Sequence, residues 1–236
     1  MNGVIALVGS GEFTPAMVEV DRALLAATGR DRPRVAIVPA ASWPDGEAVF
    51  MRWVRMGEEH FAALGATPVP VLIRDRPSAD DVQAVAELAA ADLIYMSGGK
   101  PGHLLSLLRD SAAGNALREA HARGAVIAGC SAGAMVLGGH QVRFGGRGFL
   151  RPPIGWEDGL GLVPGIVVIP HYDAIPETLV APLTLAAPDG ALVVGIDENT
   201  AAVGRDGAWH VQGHGRVTVW RGRRHERHRA GSSVSF

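Results

Sequence analysis

Two potential nucleophiles stand side by side in "AVIAGCSAGAMVLG", residues 125–138: Cys130 and Ser131. Gly129 and Gly133 flank Ser131 as GxSxG, a spacing that suits a sharp strand-to-helix elbow. The glycines let the backbone bend and leave the central hydroxyl presented for attack on a carbonyl. Cys130 falls one position short of that apex, so its side chain is expected to turn back toward the sheet and pack as a small hydrophobe. The plain alternative is a tight turn without function in a chain that holds 31 glycines. A catalytic rival keeps Cys130 as the nucleophile of an amidase.

A serine hydroxyl needs a base, a group that orients the base, and donors for the oxyanion. His171 directly follows the apolar run "GIVVIP", where a strand end would present it, and Asp173 is an available partner two residues on. Glu198 follows "ALVVGID" and suits the orienting role, with Asp197 as its rival. Gly98 and Gly99 follow "IYMS" and leave backbone amides unobstructed, as does Ala132 after the serine, so these three are the oxyanion candidates. Lys100 puts a cation beside them and, with Arg143, Arg147 and Arg151, suits a substrate carboxylate. Each has an ordinary alternative: a hydrogen-bonded strand-end histidine, solvated acids and arginines, a glycine turn. The stretch "VGSGEF" lacks the third glycine of a dinucleotide loop and reads as a structural turn bordering the site.

These groups must be brought together by the elements that carry them. Strand-like apolar runs recur at Val4–Val8, Val35–Val38, Thr67–Leu72, Leu93–Met96, Ala125–Ala128, Ile166–Ile169 and Ala191–Ile196, with helical patterns between most of them. Thr14 with Pro15, and Ser78 with Asp81, read as helix starts, and Gly65 and Gly124 as helix stops. The alternation implies an α/β three-layer sandwich, a mostly parallel central sheet with helices on both faces. After Thr200 the short strands turning at "RDGAW" and "GHGRV" read as a C-terminal antiparallel meander. Sites in such sheets collect at the carboxyl ends of strands, where "VGSGEF", "MSGGKPGHLL", "IPHYD" and "GIDENTA" fall.

With 236 residues, residues 1–236 are expected to form a single domain, with 221–236 as a flexible tail. A net charge of -2 argues against a nucleic-acid partner, and no run of about 20 apolar residues suits a membrane span. The start "MNGVIALVGSGEF" reads as a first core strand, so a cytoplasmic protein is expected. One cysteine excludes an internal disulfide framework. No cofactor and no metal is expected. The partner expected is a small peptide substrate, and the sequence allows a homodimer.

Taken together, "GCSAGAM", "SGGKPGHL", "PHYD" and "GIDENTA" resemble the cyanophycinase and aspartyl dipeptidase (dipeptidase E-like) family of serine peptidases, over nearly the whole chain. The resemblance implies the class I glutamine amidotransferase-like fold. It implies Ser131 as nucleophile, His171 as base, Glu198 as third member, and oxyanion amides at Gly98 or Gly99 and at Ala132. The order Ser131, His171, Glu198 also departs from α/β-hydrolases, whose acid precedes the histidine. Two substrate signatures differ: Lys100-Pro101 stands where cyanophycinases carry Asp-Gln, and "AIPETLV" follows the histidine where they carry arginines. The expected activity is therefore hydrolysis of amide bonds in short peptides, acidic ones included. The reading from a different class is a ligand-binding or regulatory protein that keeps this fold without turnover.

Overall fold

The computed structural model describes residues 2–144, 154–188 and 190–236. Five strands, β1 (Ile5–Val8), β2 (Arg34–Val38), β3 (Thr67–Pro70), β4 (Leu93–Met96) and β5 (Val126–Cys130), alternate with helices α1 (Val18–Ala27), α2 (Glu47–Ala63), α3 (Arg76–Ala79), α4 (Val82–Ala90), α5 (Pro101–Leu108) and α6 (Ala112–Ala122). They lie in the order β3-β2-β4-β5-β1, every neighbouring pair parallel. On β5, Val126, Ala128 and Cys130 share one buried cluster with Leu24, Phe61 and Tyr95, whereas Ile127 belongs to another with Leu7, Ile94 and Leu104. Burial on both faces is what a parallel strand between two helical layers requires, and it explains the unbroken apolar runs.

Gly65 and Gly124 follow α2 and α6 with φ of 88° and 102°, a left-handed stop that a side chain resists. The helix start read at Ser78 is divided instead. Asp75 caps α3 by accepting the Ser78 N–H, and Asp81 caps α4 by accepting from Gln83 and Ala84. Thr14 turns its hydroxyl back to the Gly11 carbonyl, and Pro15 opens a short 3-10 turn that leads into α1.

After the short helix α7 (Ala132–Leu137) the chain begins a second sheet with β6 (Gly138–Phe144), β7 (Ile154–Asp158) and β8 (Val163–Ile169). It follows with α8 (Glu177–Leu185) and β9 (Leu192–Ile196). β10 (Thr200–Arg205), β11 (Ala208–Gly213) and β14 (Ser233–Val234) extend the first sheet beyond β1, while β12 (Arg216–Arg221) and β13 (Arg224–Arg229) extend the second beyond β9. The fold is thus an α/β sandwich, and the runs at Ile166–Ile169 and Ala191–Ile196 are strands of its second sheet. The C-terminal antiparallel strands are shared between both sheets. Asp206 and Gly207, both at positive φ, turn the β10–β11 hairpin. "GHGRV" carries the chain from one sheet to the other rather than making a second hairpin of the same sheet. Residues 224–234, within the segment read as a flexible tail, hold β13 and β14. Within the second sheet, β6 and β7 form an antiparallel pair that sets Arg143 opposite Gly155 and His140 opposite Asp158. Among the described residues no helix is long and apolar enough to cross a membrane.

Candidate active site

The elbow forms where β5 passes into α7. Ser131 is held at φ 50° and ψ -108°, a conformation that costs a residue with a Cβ on the order of 1–3 kcal/mol. Its N–H donates to the Val8 carbonyl and its own carbonyl accepts from Met135, so strand and helix together hold the strained residue. A Cβ on Gly129 would come within 2.4 Å of the Gly133 backbone. Strand and helix approach this closely only because both positions are glycine, which is the physical content of GxSxG.

His171 comes from the second sheet. It follows β8 and adopts a left-handed conformation, φ 51° and ψ 37°, that swings the imidazole off the strand direction. Its neighbour Tyr172 anchors the turn: the ring is buried against Gly195, and the hydroxyl accepts from Trp220 Nε1 at 2.8 Å and donates to Glu177 at 3.2 Å. Burial pushes that phenol up to about 12, so it remains a donor throughout the working pH range. Glu198 lies in the turn from β9 to β10, with Asn199 at φ 52° beside it.

These three elements bring the side chains into a line. Ser131 Oγ lies 2.9 Å from His171 Nε2, and His171 Nδ1 lies 2.7 Å from Glu198 Oε1. The carboxylate can accept the Nδ1 proton, which leaves Nε2 as an acceptor facing the hydroxyl. The histidine and glutamate side chains are 38% and 44% exposed, so the pair contributes orientation more than stability.

The other expected residues divide. Gly98 donates its N–H to the buried carboxylate of Glu12 at 2.8 Å and is thereby removed from the oxyanion candidates. The amides of Gly99 and Ala132 have no acceptor among the described residues. Asp173 accepts the Glu198 N–H at 2.8 Å, so it holds the loop of the acid rather than facing a substrate. Asp197, the rival of Glu198, accepts the Arg216 N–H instead and is not part of the line. Lys100 pairs with Asp45 at 3.2 Å. Arg143 is exposed on β6. It pairs with Gly155 of β7, and a Cβ on Gly155 would meet its guanidinium at 3.3 Å. Arg147 and Arg151 lie outside the described residues. Glu12 was not anticipated from the sequence, although it sits in the strand-end turn "VGSGEF". Its signal was an acid placed in a strand-end turn between two glycines and a buried Phe13.

Cys130 is fully buried, and burial first, then the charge of Glu12, pushes its thiol well above the usual range. A thiol held protonated is a poor nucleophile, which removes the amidase reading. Iodoacetamide at pH 8 is therefore expected to leave the native protein unmodified over an hour and to alkylate it once in urea. Mass spectrometry reads both states; rapid native labelling with loss of activity would reinstate the thiol.

The model of the family described as Peptidase family S51 matches residues 5–211. The chain belongs to peptidase family S51. A cyanophycinase of Nostoc sp. (strain PCC 7120) is 31% identical over 220 residues, which cover 91% of this chain and 72% of that protein. Among solved structures, a peptidase from an acI-B1 actinobacterium superposes with a TM-score of 0.88 at 32% identity, covering 100% of this chain and 98% of the other. A putative peptidase E protein from Listeria monocytogenes EGD-e shares the fold, with a TM-score of 0.60 at 17% identity over 98% of this chain and 100% of the other. As an S51 peptidase the protein is a hydrolase of the serine-peptidase class acting on peptide substrates.

Proposed function

We propose that the protein hydrolyses amide bonds of short peptides through Ser131, His171 and Glu198, with the Gly99 and Ala132 amides as oxyanion donors. The observation that carries this reading is the unbroken line from Ser131 Oγ through the imidazole to Glu198 Oε1. Ser131 Oγ attacks the carbonyl carbon while its proton passes to His171 Nε2, and Glu198 supports the imidazolium through Nδ1–H. The tetrahedral oxyanion accepts from the two amides. Its collapse breaks the C–N bond, and the leaving amine takes the proton from Nε2. Water, deprotonated by the same nitrogen, then releases the acyl group from Ser131.

The test is a fluorophosphonate, which bonds only to an activated serine: stoichiometric labelling that Ser131→Ala removes is expected. An unlabelled protein would make this a ligand-binding member of the family.

An acidic group beside the scissile bond is the proposed preference, with Lys100 and Arg143 as its cations. The Lys100–Asp45 pair is 59% and 38% exposed, so a substrate carboxylate would exchange one weak pair for another. The expected preference for Asp over Asn is therefore below about tenfold, since exposed pairs are worth up to about 1 kcal/mol. Asp45→Ala, which frees Lys100, should enlarge it, and Lys100→Ala should reduce it. A peptide panel with Asp, Asn, Leu and Arg at the first position measures this, and a preference for Arg would refute it.

A further inference from the structure

Glu12 is 6% exposed, and both of its oxygens are engaged behind the elbow. Oε1 accepts the Gly98 N–H at 2.8 Å and Oε2 accepts the Cys130 S–H at 2.9 Å. One carboxylate from the β1 turn thus ties the β4 turn to the last residue of β5. A buried carboxylate costs several kcal/mol, and two donors offset only part of that. The backbone is shaped to place it there: Gly11 has φ 85° and Phe13 φ 63°, on either side of Glu12, and the Thr14 N–H and hydroxyl both close on the Gly11 carbonyl. Phe13 then packs among Trp53, His60, Phe61 and Tyr95, which anchors the turn from the other side.

The tie lies against the reacting hydroxyl. A Cβ on Gly98 would meet Glu12 Oε1 at 2.9 Å, Ser131 Cβ at 3.3 Å and Ser131 Oγ at 3.7 Å. The next residue, Gly99, is at φ 143°, and a Cβ there would meet the Ala41 carbonyl at 2.3 Å. The Gly98–Gly99 peptide is therefore held by Glu12 on one side and by the 40–45 turn on the other, with Lys100 N–H donating to the Ala41 carbonyl at 2.7 Å. Cys130 also acquires a role: it supplies a weak donor to this tie and no nucleophile.

We propose that Glu12 is a positioning residue of the hydrolysis, holding the Gly98–Gly99 turn against the elbow so that the Gly99 and Ala132 amides converge on the oxyanion. This rests on the serine mechanism proposed above. Oxyanion donors act through placement, and losing one costs about 10² to 10³ in kcat.

Three variants separate hydrogen bonding from charge. Glu12→Gln keeps an acceptor at the same reach for Gly98; Glu12→Asp keeps the charge one methylene short; Glu12→Ala keeps neither. Folding of each is checked by its thermal transition, and kcat and KM are measured on a short peptide together with the rate of fluorophosphonate labelling. Expected are Glu12→Gln within about fivefold of the native kcat, and Glu12→Asp lower by about a hundredfold with KM within about threefold. Glu12→Ala should match Glu12→Asp where it folds. A native kcat in Glu12→Asp with loss in Glu12→Gln would assign the effect to charge and overturn the proposal, as would a native kcat in all folded variants. A native protein that fluorophosphonate does not label at Ser131 defeats the serine mechanism itself, and the proposal with it; a labelled one whose rate ignores Glu12 defeats only the proposal.

Discussion

Ser131→Ala is expected to lower kcat on a short peptide by about a hundred-thousandfold or more while leaving the folded state intact. In serine hydrolases the nucleophile and its base act as one unit, and removing either leaves only the background due to binding and oxyanion donors. Here that background would come from the Gly99 and Ala132 amides, which the substitution does not move. The strained backbone at φ 50° remains with alanine, which has the same Cβ, so only the 2.9 Å contact with the imidazole is lost. The stability change should stay within about 0.5 kcal/mol, the range of a substitution that creates no cavity and orphans no buried group. Steady-state kinetics with a denaturation curve checks both halves. A variant that retained more than about a hundredth of native kcat would mean that another group forms the acyl intermediate. A variant that unfolded would show that the elbow depends on the hydroxyl for structure.

The elbow was legible in the sequence because its cause is local: two glycines, one residue between each and the serine, and a β-branched run on one side. The parallel core was legible for a similar reason, since strands buried on both faces leave unbroken apolar runs. The division into two sheets was not. Ile166–Ile169 and Ala191–Ile196 would read the same in the sheet of β5 as they do in the sheet of β6, because apolar periodicity reports burial and not the identity of the neighbouring strand. Pairings remote in sequence were likewise hidden. Lys100 reads in the sequence as a cation for a substrate, whereas in the fold it pairs with Asp45, 55 residues earlier. Gly98 reads in the sequence as a free donor, whereas its N–H is taken by Glu12, 86 residues away. Residue types at strand ends therefore point to the candidate site, while tertiary contacts decide which amides, acids and cations remain available in it.

The second large effect concerns the relay from base to acid, and its signature is non-additivity. His171→Ala should lower kcat nearly as far as Ser131→Ala, because without Nε2 the serine proton has no acceptor and the leaving amine no donor. Glu198→Gln should cost less, about 10² to 10⁴. The amide oxygen can still accept Nδ1–H at the 2.7 Å position, but it carries no charge to support the imidazolium, and an amide NH2 turned toward Nδ1 would favour the wrong tautomer. The lower end of that range is favoured by the surroundings: Glu198 is 44% exposed, so solvent supplies part of what its charge supplies. Asp173→Asn should be milder still, since its carbonyl oxygen can continue to accept the Glu198 N–H. The double variant His171→Ala with Glu198→Gln decides whether the glutamate acts through the histidine. If it does, removing the acid after the base has gone should change kcat by less than about threefold. A further fall of about a hundredfold in the double variant would mean that Glu198 contacts the substrate or fixes the site independently, and the line Ser131–His171–Glu198 would have to be replaced by two separate functions.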